Sequence, residues 1–222
     1  MFEVQNWVFE LTGKLKKRFG SGLCFVGYQG SYRRGEANKN SDIDVVVIFE
    51  YIDINILVDY KKVIETMPFA EKACGFICGK EELEKWSGYE LFQLYNDTVS
   101  VYGKLEDFIP EISQKDATTA AKTGAENVYH LACHSFLYDK DRKTSLKQLY
   151  KSIVFTIQAK YFSETKEYIL TKDELFKKVT GVEKKILEIS MKKDDIETFS
   201  VKEIENSYSL LIDFCADIIR RF

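Results

Sequence analysis

At 222 residues the chain is long enough for one large domain or two small ones and too short for a multi-enzyme assembly. With 45% apolar and 30% charged residues, and 2 Pro against 12 Gly, the composition excludes disordered, collagen-like and low-complexity classes. A net charge of -3 gives nonspecific adhesion to nucleic acid or an anionic membrane no help.

The five cysteines, Cys24, Cys74, Cys78, Cys133 and Cys215, are odd in number and scattered through apolar stretches, which predicts free buried thiols in a reducing compartment. The start, MFEVQNWVFE, lacks the basic residues and apolar run of a signal peptide, and no stretch reaches about 18 apolar residues. The expectation is a soluble cytoplasmic protein with no membrane partner and no nucleic-acid partner.

In chain order, Val4, Trp7, Val8, Leu11 and Leu15 recur at helical spacing and predict an amphipathic helix over residues 2–19, stopped by Gly20 and Gly22. The apolar run at residues 23–28 fits a strand buried on both faces. A polar loop follows, in which Gly30 and Ser31 open a candidate short helix. The β-branched run at residues 43–49 is a second strand. Residues 55–67 read as a helix ended by Pro68, residues 73–78 as a strand, 81–95 as a helix and 98–102 as a last strand. Beyond Pro110 glycine thins out and long periodic segments predict helices near 113–138, 144–163, 171–191 and 200–221. The predicted class is α+β: a small mixed-sheet domain over residues 1–108, followed by an all-α helical bundle over residues 109–222.

Chemistry concentrates in the second strand, where Asp42 and Asp44 flank Ile43 ahead of Val45-Val46-Val47-Ile48. Side chains at i and i+2 of a strand share a face, so both carboxylates project together. Two like charges so close call for a cation between them, most simply Mg²⁺, which is also the usual partner of nucleotide phosphates. Upstream, Gly30 lets a phosphate approach the backbone closely, the Ser31 hydroxyl and the N–H groups of a helix start hold an anion, and Arg34 adds positive charge. The specific pattern is the combination: apolar strand, Gly-Ser, ten intervening residues, then Asp-x-Asp opening another apolar strand.

The stretch GSYRRGEANKNSDIDVVV, residues 30–47, resembles the DNA polymerase β-like nucleotidyltransferase superfamily, in its branch of antibiotic (aminoglycoside and lincosamide) and minimal nucleotidyltransferases. The resemblance rests on Gly30-Ser31, Arg34-Gly35 and Ser41-Asp42-Ile43-Asp44. It implies that Asp42 and Asp44 bind the Mg²⁺ ions bridging NTP phosphates and that Gly30, Ser31, Arg34 and Ser41 contact the nucleotide. The implied reaction moves an NMP, with ATP as the expected donor of AMP, to a hydroxyl of a small acceptor such as an aminoglycoside-like antibiotic, releasing pyrophosphate. Nucleotidylation of a toxin-like protein partner and a nucleotide-binding regulatory module with weak turnover are the alternatives. Many members carry a third carboxylate on the strand beside Asp-x-Asp, and here that strand, residues 73–78, has no acid. In some relatives the general base comes from the helical domain, which points to Glu126; Glu71 and Asp97 are the other acids near strands, Asp97 reading as a turn residue in Asn96-Asp97-Thr98.

Other features carry less. His130 and His134 share a helix face at i and i+4 but lack the Glu that a zinc-protease pattern places after the first His, and they read as packing or acceptor contacts. Cys74 and Cys78 have the wrong spacing for a Cys-x-x-Cys site. The basic run Lys140, Arg142, Lys143, Lys147 and Lys151 reads as a solvated face.

Overall fold

A computed structural model describes residues 2–222, and the chain divides into two compact units, Met1–Glu111 and Ile112–Phe222. The first is α+β and the second is helical.

In the first unit, helix α1 (Val4–Phe19) precedes strand β1 (Leu23–Tyr28), the single-turn helix α2 (Gly30–Arg34) and strand β2 (Ile43–Phe49). Helix α3 (Ile54–Glu65) leads to β3 (Ala73–Gly79), then α4 (Lys80–Lys85), α5 (Gly88–Asp97) and β4 (Val99–Tyr102). The sheet order is β3-β2-β1-β4, with β1 antiparallel to both β2 and β4 and β2 parallel to β3. The apolar stripe of α1 supplies Trp7, Val8, Leu11 and Leu15, which join Val26, Val45, Val47 and Phe49 in one core. Trp7 further donates its indole N–H to the Pro68 carbonyl at 2.6 Å. Because Val46 and Ile48 are also fully buried, β2 is covered on both faces, which explains why it reads as a continuous apolar run.

The second unit contains α6 (Gln114–Tyr138), α7 (Arg142–Thr165), α8 (Lys172–Lys178), α9 (Gly181–Met191) and α10 (Val201–Arg221). Capping boxes built from Ser113 with Asp116 and from Ser200 with Glu203 start α6 and α10, while Asp141 caps α7. Ala117, Ala121, Ala125 and Ala132 bring a small-residue stripe of α6 into the interior, and a methyl group added at Gly124 would lie 2.5 Å from Thr156 Oγ1. Leu146, Tyr150, Ile153 and Ile157 of α7 meet Leu211, Cys215 and Ile218 of α10 in the bundle core. Each such aliphatic side chain contributes roughly 1.5–3 kcal/mol on burial. The Tyr150 hydroxyl donates to the Ser207 carbonyl at 3.0 Å, so that phenol is buried with a partner.

Two of the expected helices are each broken in two. The 81–95 helix is interrupted at Trp86 and Ser87, whose ψ angles of 148° and 133° are extended. The 171–191 helix is interrupted at Val179 and Thr180, with ψ of 161° and 177°, where two β-branched residues precede Gly181. In both places apolar periodicity continues across the break, so the backbone change leaves no mark on the hydrophobic pattern. No helix among the described residues is long and apolar enough to cross a membrane.

All five cysteines are free, but of the expected buried thiols Cys78 and Cys215 are buried while Cys24 and Cys133 are half-buried, and Cys74 is exposed because β3 is an edge strand with β2 on one side only.

Candidate active site

The sheet topology itself assembles the site. Strand β2 begins opposite the end of β1, with Tyr28 paired to Val45, and β4 begins beside the same end, with Tyr28 paired to Val99. Residues just after β1, just before and at the start of β2, and just before β4 therefore converge. These are Gly30 with Ser31, Asp42 with Asp44, and Asp97.

The turn after β1 is tight. Gln29 donates its N–H to the Asp44 carbonyl at 2.9 Å, and Gly30 then takes φ = 77°, a left-handed value that favours glycine. A side chain at Gly30 would also collide with the Asp44 carboxylate, at Oδ2, so the absence of Cβ is what lets that acid lie against the turn. Helix α2 ends in Gly35 at φ = 70°, and the Glu36 N–H returns to the Ser31 carbonyl at 2.9 Å. Arg34 and Ser31 thus ride on a turn closed at both ends by glycine.

Asp44 is half-buried on β2 and Asp42 is exposed immediately before it, on either side of fully buried Ile43. Ser41 closes a small turn, its N–H meeting the Asn38 carbonyl at 3.0 Å and its Oγ accepting from the Asn38 N–H at 2.9 Å. Its local role is therefore to set the approach into β2.

Asp97 corrects the reading of an ordinary turn residue. It is the last residue of α5, only 3% exposed, and its Oδ2 accepts the Gly30 N–H at 3.1 Å and a guanidinium N–H of Arg34. A carboxylate at a helix C-terminus opposes the helix dipole, so the arginine offsets that cost as well as the cost of burial. Burial pushes the Asp97 carboxyl above its ordinary value; Arg34, the Gly30 N–H and Arg33 pull it down, and the Asp44 charge adds to the rise. Its other oxygen, Oδ1, is buried without a hydrogen-bond partner, as is Nε of Arg33. Arg34 also donates to Glu36 Oε2 at 3.3 Å, so its guanidinium bridges two protein carboxylates. Arg34 and Asp97 are 63 positions apart, which explains why no local spacing signal disclosed the pair.

The remaining candidates lie in the second unit. Glu126 is exposed on α6. On the same helix His130 and His134 are exposed, with ring centroids 6.2 Å apart, and His134 meets Tyr138 at 5.1 Å. No group of three His, Cys, Asp or Glu among the described residues is arranged to hold a metal ion. The donor set Asp42 and Asp44 nevertheless suits Mg²⁺, a hard cation that takes one or two protein carboxylates and fills its other positions from water and phosphate oxygens.

Residues 10–117 match the family described as Nucleotidyltransferase domain. No curated protein matches the chain significantly. Among solved structures, the spectinomycin adenyltransferase AAD(9) from Enterococcus faecialis with ATP and spectinomycin is similar at 15% identity and a TM-score of 0.54, over 96% of this chain and 99% of that one, which shows a shared fold. A toxin-antitoxin with AMP-PNP is similar at 19% identity over 59% of this chain and 95% of that one, with a TM-score of 0.33. A cyclic dinucleotide synthase of Elizabethkingia meningoseptica is 14% identical over 93% of this chain and 74% of that one, with a TM-score of 0.29.

Proposed function

We propose, from the match of residues 10–117 to the Nucleotidyltransferase domain family, that the chain is a nucleotidyltransferase of the DNA polymerase β-like superfamily and that it transfers AMP from ATP to a hydroxyl of a small hydroxylated acceptor. The observation that supports this reading best is the placement of the Asp44 carboxylate against the Gly30 turn, with exposed Asp42 two residues upstream, just before β2. An acid that is to share a cation with a triphosphate must sit next to whatever grips that triphosphate. A spectinomycin adenyltransferase of the same fold makes an aminocyclitol-like antibiotic a reasonable first acceptor to try.

In the proposed step an acceptor oxygen attacks the α-phosphorus, a new P–O bond forms, and the bond from that phosphorus to the bridging oxygen breaks, so pyrophosphate leaves. Asp42 and Asp44 would hold Mg²⁺, which when bound neutralises charge developing on the phosphate oxygens. Ser31 would orient the terminal phosphates, and Gly30, by leaving its side-chain space to the Asp44 carboxylate, sets that acid beside the turn. The hydroxyl proton needs an acceptor; Glu126 is proposed for it on the family resemblance, and Glu126→Gln should then slow turnover by about 10²–10⁴-fold.

The absence of any acid from β3, whose sequence is ACGFICG, favours one second reading: a nucleotide-binding module with little turnover. Purified protein incubated with Mg²⁺, labelled ATP and a panel of hydroxylated antibiotics separates the two. Acceptor-dependent pyrophosphate release that Asp44→Asn abolishes supports transfer. Binding of ATP without release across the panel supports the module, and release undiminished in Asp44→Asn defeats the metal assignment.

A further inference from the structure

We infer that Asp97 is a positioning residue that holds the Gly30 turn in its nucleotide-ready shape, committing the Gly30 N–H and the Arg34 guanidinium to the protein rather than to the triphosphate. This deepens the nucleotidyltransferase reading and rests on it. The resemblance over residues 30–47 gives Asp97 no role; the geometry brings it here.

The structure supports the role through one oxygen serving two partners. Oδ2 of Asp97 accepts the Gly30 N–H at 3.1 Å and is also the atom that meets Arg34. Gly30 starts α2 and Arg34 ends it, so this one oxygen ties both ends of the five-residue turn to α5. The side chains of Arg34 and Asp97 are 13% and 4% exposed, so the pair is shielded from water and its geometry is held tightly. On the far side of the same turn the Asp44 carboxylate fills the space that a Gly30 side chain would take. Asp97 thereby fixes the separation between the turn and Asp44, which is the distance a bridging cation and phosphate must span.

A group that only shapes the nucleotide pocket affects capture of ATP more than the chemical step. Asp97→Asn keeps an oxygen for the Gly30 N–H but no longer neutralises Arg34, whereas Asp97→Ala removes both functions. The expected result is a KM for ATP raised about tenfold in Asp97→Asn and further in Asp97→Ala, with kcat at saturating ATP changed by less than about threefold. A kcat that collapses while KM stays fixed would make Asp97 a base or metal ligand, and parameters unchanged in both variants would leave it no role; either outcome overturns the inference.

A measurement on the unaltered protein covers the case in which the variants do not fold. With ¹⁵N-glycine labelling, the Gly30 amide should exchange slowly with solvent and keep its shift and protection when Mg²⁺ and a non-hydrolysable ATP analogue are added. Rapid exchange, or a large shift as the amide turns to a phosphate, overturns the assignment. If no acceptor supports turnover, the function proposed above fails, while the amide measurement still decides the positioning role.

Discussion

Among the described residues two charged residues are nine-tenths or more buried, one in each unit, and they are satisfied differently. Lys160 on α7 is 9% exposed, and its ammonium meets Glu164 at 2.8 Å and Glu183 at 3.0 Å. Burial alone would pull that ammonium down, but the two carboxylates more than reverse it and hold Lys160 above its ordinary value. Asp97 is 3% exposed, has one oxygen shared between an arginine and a backbone N–H, and has its other oxygen without a hydrogen bond. Burial leads there, and the carboxyl stays raised. A buried charge matched fully by its neighbours belongs to packing; one matched incompletely, beside a glycine turn and a second acid, belongs to a site.

The sharpest way to break that contrast is Gly30→Ala. The new methyl would meet the Asp44 carboxylate and the backbone would keep an unfavourable positive φ, so nucleotide turnover should fall by more than about 100-fold. Steady-state pyrophosphate release measures it, and a fall of only a few-fold would show that Asp44 does not need the turn. In the helical unit, Lys160→Met should lower stability by roughly 1–3 kcal/mol, since Glu164 and Glu183 keep partial access to water, and should leave kcat and KM unchanged. Urea unfolding paired with kinetics tests this, and a loss of turnover without a loss of stability would erase the distinction between the two charges.

The two regions should also respond oppositely to pH. The α7 cap Asp141 and the α10 capping-box acid Glu203 are held below their ordinary values, Asp141 by the Thr144 hydroxyl and N–H and Glu203 by the Ser200 hydroxyl and N–H. A depressed carboxyl contributes stability that is present above its unfolded value and lost as pH falls through its folded value. Asp97 is raised above 3.8, so its protonated form is the one folding favours, and its contribution is lost as pH rises from 3.8 through the folded value. Stability curves of Asp97→Asn and the parent chain should therefore diverge from the usual carboxylate range upward, with the variant losing less as pH rises. Parallel curves would refute this. The smallest effect is chemical: an alkylating reagent should modify exposed Cys74 first, and Cys78 and Cys215, both pushed up to about 12 by burial, last.

What the sequence discloses follows from how far apart the cooperating residues are. Strands β1 and β2 and the Gly30-Ser31 and Asp42-Asp44 elements are legible because each is a local pattern, apolar run against turn residue or acid. The split between α4 and α5 is hidden, since the backbone alone changes at Trp86 and Ser87. Asp97 is hidden for a different reason. Its partners stand 63 and 67 positions upstream, and only the antiparallel placement of β4 beside β1 brings them together. One local hint was present: an acid closing a helix, where the dipole disfavours it.

Strand β2 has neighbours hydrogen-bonded on both edges, β1 and β3, and Asp44 pairs in register with Cys74. Its main chain is thereby clamped and has no hinge with which to accommodate a longer side chain. Asp44→Glu would push the oxygens forward by one methylene, about 1.5 Å, with no compensating retreat of the backbone. A mount this stiff acts like a fixed-length tool post: the charge is unchanged in glutamate, yet reach alone should decide whether the substitution is tolerated.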